Sequence, residues 1–251
     1  LVGAGFSITV DNDSSDNSFI NNGTISGDLD VIITNPNGNS NFNANGQGGG
    51  VRHLTVNHTN AIVRLKNEDQ TIDQLTILAG ELTTNDGTAD RNLTVNEGTS
   101  INGGDAGNEV ARLYLNSSTV TLGAASYTAD CGCQVSSGGG LYADAGSTVN
   151  MSSLDANYDG ANEVKLLGTN TITSYDNTTS RICKLTTGVI DAAGTSITVT
   201  TATSGKKFSI FDVDLETLTL NPASATSYVI ENSSGMVVQN LTINANATLD
   251  T

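Results

Sequence analysis

The stretch DANYDGANE, residues 155–163, is where residue type and spacing come nearest to chemistry. Asp155, Asn157 and Asp159 place side-chain oxygens at alternate positions, and Gly160 permits a sharp bend. Ala161 can offer its carbonyl, and Glu163 closes the set. Alternating oxygen ligands around a glycine bend are how a short loop wraps calcium, so Asp155, Asn157, Asp159, Ala161 and Glu163 are candidate calcium ligands. An EF-hand would need a bidentate Glu at the twelfth position, where this chain has Leu166. No amphipathic helices flank the loop either. That excludes an EF-hand and leaves a shorter calcium loop or an ordinary acidic turn. The acidic run DNDSSD, residues 11–16, lacks the glycine bend, and GGDAGNE, residues 103–109, is a turn by default.

No catalytic residue is expected. His53 and His58 are the only histidines, and neither has the glycine neighbours found around the histidine of polygalacturonase-type β-helix glycosidases. Arg112 and Arg181 could serve as bases of the pectate-lyase kind, but nothing in the sequence places them beside acids. A pair of carboxylates on separate repeats is a question of space that spacing along the chain does not answer. Hydroxyls are plentiful, yet no Gly-x-Ser-x-Gly elbow accompanies them. Cys131 and Cys133 are too close to pair comfortably with each other; either could pair with Cys183, and isolated thiols are the alternative.

What must position these residues is read from composition and rhythm. Of 251 residues only 4% are aromatic, with no Trp, while Gly reaches 27. A compact globule of that length would want thicker aromatic layers, so the composition suits thin, stacked layers of small aliphatic side chains. Asp and Glu outnumber Lys and Arg 26 to 10, a net charge of −16. Such a surface repels phosphates and anionic lipid, which argues against a nucleic-acid partner. No apolar run approaches the length of a membrane span. The opening LVGAGFSITV lacks the basic flank of a signal peptide, and LTINANATLDT stops mid-pattern, so a segment of a longer chain is expected.

One phrase recurs: HLTVN at His53, QLTIL at Gln74, NLTVN at Asn92, RLYLN at Arg112, SITVT at Ser196, TLTLN at Thr217 and NLTIN at Asn240. Weaker versions are STVNM at Ser147, NTITS at Asn170 and RICKL at Arg181. The interval, roughly 18 to 25 residues, falls in the range of solenoid repeats. Apolar and polar residues alternate and β-branched types dominate, so each phrase reads as a short strand. Leu54 and Val56, Leu75 and Ile77, Leu93 and Val95, and Leu241 and Ile243 are the expected inward pairs. Thr55, Thr76, Thr94 and Thr242 are expected outward, in stacked positions. Two or three strands per repeat predict an all-β parallel β-helix; the alternative is an antiparallel β-sandwich or jelly roll. The organisation expected is an N-terminal β segment with an Asn/Gly-rich loop over 1–50, then a repetitive solenoid over 51–251. The tract 35–50 is too polar to pack and is expected as a loop, and residues 124–146 as an excursion from the stack.

NLTINANATLDT, TLTLNP and SITVTT resemble repeats of bacterial and viral surface proteins with β-helical shafts. These include phage tail fibres, spikes and capsid-decoration proteins, and adhesin or autotransporter passengers. The resemblance spans about Arg52 to Thr251 and implies a scaffolding or attachment role on a virion exterior, or on a cell surface as adhesin or surface-layer protein. A polysaccharide lyase or hydrolase is the remaining alternative. No cofactor other than calcium is expected. Partners would be further copies, other virion or surface proteins, or a glycan or host receptor, with no nucleic acid and no membrane insertion.

Overall fold

The computed structural model describes residues 5–11, 17–21, 23, 25, 27–34, 38–44, 51–103, 111–123, 132–136, 138–156, 163–173, 181–185, 189–190, 195–201, 204–210, 214–230 and 237–250. Every regular element among them is a strand, and the strands stack in parallel as a β-solenoid. An antiparallel sandwich or jelly roll is thereby set aside. The one antiparallel bridge among the described residues, Asn85 to Asp90, lies within a turn.

The strands form three sides. The first runs through β1 (Phe6–Val10), β3 (Leu29–Ile33), the start of β5 (Val51–Leu65), the middle of β6 (Gln70–Thr83) and the end of β7 (Leu93–Asn102). It continues through β10 (Cys133–Ser136), β13 (Leu154–Ala156), β16 (Arg181–Leu185), β19 (Lys206–Ile210), β21 (Thr226–Ile230) and β23 (Ala247–Asp250). The second comprises β2 (Asn17–Ile20), β4 (Asn39–Asn43), the ends of β5 and β6, β8 (Ala111–Tyr114), β11 (Gly139–Ala143), β14 (Glu163–Leu166) and β17 (Val189–Ile190). The third opens at Gln70 with the starts of β6 and β7. It proceeds through β9 (Thr119–Leu122), β12 (Thr148–Met151), β15 (Thr169–Ile172), β18 (Ser196–Val199), β20 (Asp214–Leu220) and β22 (Val237–Ile243).

Alternation decides which residues meet. Because side chains alternate between faces, stacking in register lines identical faces into columns. On the first side Ile33, Val56, Ile77, Ile101, Val135 and Ala156 form one buried column. On the second, Val63, Leu82, Leu113, Leu141 and Val164 form another. On the third, Ile72, Val95, Leu122, Met151, Ile172, Val199 and Leu220 follow suit. Each fully buried aliphatic side chain contributes about 1.5–3 kcal/mol, and no single turn could bury its own column without neighbours. The narrow interior explains the scarcity of aromatics.

Two amides interrupt the neighbouring inward column of the third side. Gln70 heads it, accepting from the Ala44 amide at 2.8 Å and donating to the Glu68 carbonyl at 2.8 Å, which ties the new side to the exit of β4. Asn170 donates to the carbonyls of Gly168 at 2.9 Å and Ser196 at 3.1 Å, stitching successive turns at a corner.

Several expectations are adjusted. The recurring phrases are not one strand repeated. HLTVN and QLTIL lie on the first side and RLYLN on the second, whereas NLTVN, STVNM, SITVT, TLTLN and NLTIN lie on the third. All three sides need the same alternation, so the phrase cannot tell them apart. Thr55 does stack on Thr76, but Thr94 and Thr242 belong to the third side. Leu241 and Ile243 are 48% and 45% exposed, because among the described residues no strand stacks beyond β22. In the tract 35–50, β4 packs after all: Phe42 is buried and stacks on Phe19 with ring centroids 5.7 Å apart. In the region 124–146, β10 and β11 rejoin the first and second sides.

Candidate functional site

The candidate calcium ligands that the structure describes lie on different sides. Asp155 is in β13 on the first side, in register with Gln134 and Lys184, while Glu163 begins β14 on the second. Asn157, Asp159 and Ala161 lie outside the described residues. Glu163 has a partner of its own, its carboxylate accepting the Tyr142 hydroxyl. Among the described residues no three His, Cys, Asp or Glu side chains gather as a metal site.

The cysteines are constrained by register. Cys133 is opposite Leu154, and Leu154 is opposite Cys183, so the two cysteines stand two strands apart. That separates their Cα atoms by about 9.6 Å, beyond the reach of a disulfide. Cys133 cannot bridge to Cys183; it is buried, with Thr99 and Leu154 as its register neighbours. Cys131 lies outside the described residues.

His53 and His58 also separate. His53 points outward on the first side, its Nε2 2.7 Å from Thr76 Oγ1, and burial lowers its pKa from the ordinary 6.5. A histidine whose folded pKa is depressed favours the folded state fully above its unfolded pKa and loses that contribution as pH falls through the folded value. We therefore expect His53→Gln to flatten a decline in melting temperature as pH is lowered from about 6.5, read by thermal melts across pH. An unchanged pH dependence would count against this.

The most elaborate side-chain cluster of the described surface was not foreseen as a site. Outward positions on the second side place Glu81, Arg112, Gly140 and Glu163 in one column and Thr83, Tyr114, Tyr142 and Lys165 in the next. Tyr114 and Tyr142 stack with centroids 4.7 Å apart and planes 16° from parallel. The Tyr142 ring leans over Gly140, where a Cβ would meet ring carbon Cε2 at 2.6 Å. Burial pushes the Tyr142 hydroxyl pKa up, and its bond to Glu163 raises it further. Arg112 Nη1 lies 3.7 Å from Glu81 Oε1. Burial opposes the Arg112 charge, but Tyr114 and Tyr142 hold it protonated. The recurring apolar positions of RLYL and GLYA carried the only signal, an aromatic where other phrases have Thr.

That cluster is a ladder of mutual satisfaction and offers little chemistry. Glu81 and Glu163 are three strands apart, about 14 Å, whereas paired glycosidase carboxylates stand no more than about 9.5 Å apart.

The third side is different in kind. Its outward columns carry Asn92, Thr94 and Asn96, then Thr119 and Thr121, then Thr148, Asn150 and Ser152. They continue with Thr169, Thr171 and Thr173, with Ser196, Thr198 and Thr200, with Thr217, Thr219 and Asn221, and with Asn240, Thr242 and Asn244. From Thr119 to Thr200 no outward position described on this side is ionisable, in a chain of net charge −16; Asp69 and Asp73, which accept from Asn92 and Asn96, and Glu216 lie toward its two ends.

Compared with family models, curated proteins and solved structures, the chain matches none of them.

Proposed function

We propose that this chain is a non-enzymatic structural protein of a virion exterior, a tail fibre or capsid decoration, acting as scaffold and attachment surface. The observation that carries this reading is the stack itself. One continuous aliphatic interior is shared by three ladders, so the chain spends its sequence on a stiff body with outward hydroxyl and amide columns. Its net charge of −16 keeps such bodies soluble and apart. The separation of Glu81 and Glu163 and the self-contained Tyr142–Glu163 pair support a role without catalysis.

Immunogold electron microscopy of purified virions from the source, using antibody to this chain, tests the location. Label at regular positions on the particle exterior is expected. Label confined to cell envelopes would replace this reading with a cell-surface adhesin or surface-layer protein. Chain shortening of acidic glycans by the purified protein would overturn the non-enzymatic reading.

A further inference from the structure

We infer that the third side is a binding surface for crystalline water, an ice-binding face. The first observation is two-dimensional order. Thr71, Thr94, Thr121, Asn150, Thr171, Thr198, Thr219 and Thr242 succeed one another in direct register. A second column, Thr119, Thr148 and Thr169 followed by Ser196, Thr217 and Asn240, runs beside it. Successive strands are about 4.8 Å apart, and residues i and i+2 about 6.6 Å apart, so the hydroxyls occupy a nearly rectangular net.

The second observation is that the net is uninterrupted. The ladders of the first side shift register between β3 and β5 and between β16 and β19. The third-side pairings from β7 to β18 and on to β20 keep one register. Loops between the strands vary in length, yet this side stays aligned.

The third observation is chemical. Among the described residues the net is free of charge from Thr119 to Thr200, the stretch that holds its centre. Asp69 and Asp73 lie at its first strand, where they accept from Asn92 and Asn96, and Glu216 lies toward its far end. An ionised group orients water radially about itself, which is incompatible with a lattice. A threonine hydroxyl both donates and accepts, and the methyl beside it leaves neighbouring water to bond to water.

Together these features select the occupant. A glycan-binding flat face would be expected to carry aromatic rings, but the stacked tyrosines are on the second side. A contact between protein copies is enriched in aromatics, Met and Arg, all missing from these positions. Nucleic acid would need cations, and divalent metal would need carboxylates. What remains is a periodic, uncharged partner that donates and accepts hydrogen bonds at every point, with repeats comparable to this net in both directions. The oxygen lattice on the prism faces of hexagonal ice meets that description. The assignment is independent of whether the chain decorates a virion or a cell.

The test is slow growth of an ice hemisphere in dilute protein, with the amount in ice and in liquid measured, alongside the freezing hysteresis of a seeded crystal. Wild-type protein is expected to enter the ice and to open a gap between melting and freezing. Thr171→Tyr and, separately, Thr198→Tyr place a bulky ring at the centre of the net and should lose both effects, with circular dichroism and melting unchanged. Gln134→Tyr, at an outward first-side position, should retain both. Wild-type protein left in the liquid overturns the proposal, as does equal ice uptake by all variants. Retention on insoluble polysaccharide, or a dimer dispersed by Thr171→Tyr, would assign the face to another occupant and also overturn it. Should either Tyr variant fail to fold, Thr121→Tyr supplies the same comparison at another strand.

Discussion

Gly80→Val is expected to destabilise the solenoid by more than about 3 kcal/mol, because a side chain there faces both a steric clash and a forbidden backbone conformation. Gly80 has φ +89°, in the left-handed region that a β-branched residue adopts only under strain. Its surroundings are tighter still. β5 uses the residues between Asn57 and Ile62 to turn a corner that β6 turns between Ala79 and Glu81. The wider corner therefore arches over the narrower one. A Cβ on Gly80 would lie 2.6 Å from the Ala61 carbonyl oxygen, and closer still to that of His58. Neither obstacle is a flexible side chain, so relief requires the parallel ladder to open.

Gly87→Ala is the companion measurement. Gly87 has nearly the same φ, +90°, but nothing lies within 4 Å of an added Cβ. It carries the conformational cost alone, about 1 kcal/mol. Thermal melts and limited proteolysis of the two variants separate strain from clash. A Gly80→Val protein that melts with wild type would show that the corner is not tightly packed.

Asp86→Ala is expected to cost about 3 kcal/mol, since it leaves Arg91 and several amides without the carboxylate they surround. The Asp86 side chain is 1% exposed. It accepts from Arg91 Nε at 2.8 Å and Nη2 at 2.5 Å, from the Thr88 amide at 2.7 Å and hydroxyl at 2.5 Å, and from the Ala89 amide at 2.9 Å. Its own carbonyl accepts from Lys66 Nζ at 2.9 Å, which fastens the turn to the preceding repeat. Arg91 remains a quarter exposed and can partly rehydrate, so the low end of the range for a broken buried pair applies.

The same carboxylate gives the stack an acid sensitivity. Burial by itself would raise the Asp86 pKa, but the bonds from Thr88, Arg91 and the Ala89 amide outweigh it and hold the pKa well below the ordinary 3.8. A depressed folded pKa stabilises the fold fully above the unfolded value, and that contribution is lost as pH falls through the folded one. Asp86→Asn should therefore be less stable than wild type at neutral pH and lose less on further acidification below about pH 4. Parallel denaturation curves for the two proteins down to strongly acid pH would contradict this role.

The Asp86 turn was not legible as a feature in the sequence. TTNDGTADR looks like any polar connection, and only folding brings the Arg91 guanidinium back onto the carboxylate five residues earlier. The tyrosine ladder was hidden for a related reason. Tyr114 and Tyr142 lie far apart along the chain, and their contact exists only because β8 and β11 are in register. The candidate calcium ligands illustrate the opposite error of proximity. Asp155 and Glu163 are near in sequence, yet a corner of the solenoid puts them on separate sides.

The solenoid was legible in the residues alone. Alternating Leu, Val, Ile and Thr at a regular interval, with Asn and Gly between, can bury its apolar face only by stacking, so the parallel ladder follows from local pattern. The inward positions Leu54, Val56, Leu75, Ile77, Leu93 and Val95 were identifiable one by one, and all are buried. Which strand belongs to which side emerges only in the folded stack, because the period of two is identical on all three and carries no label. That assignment, set by corner geometry and loop length, collects the long threonine columns on the third side and the stacked tyrosines on the second.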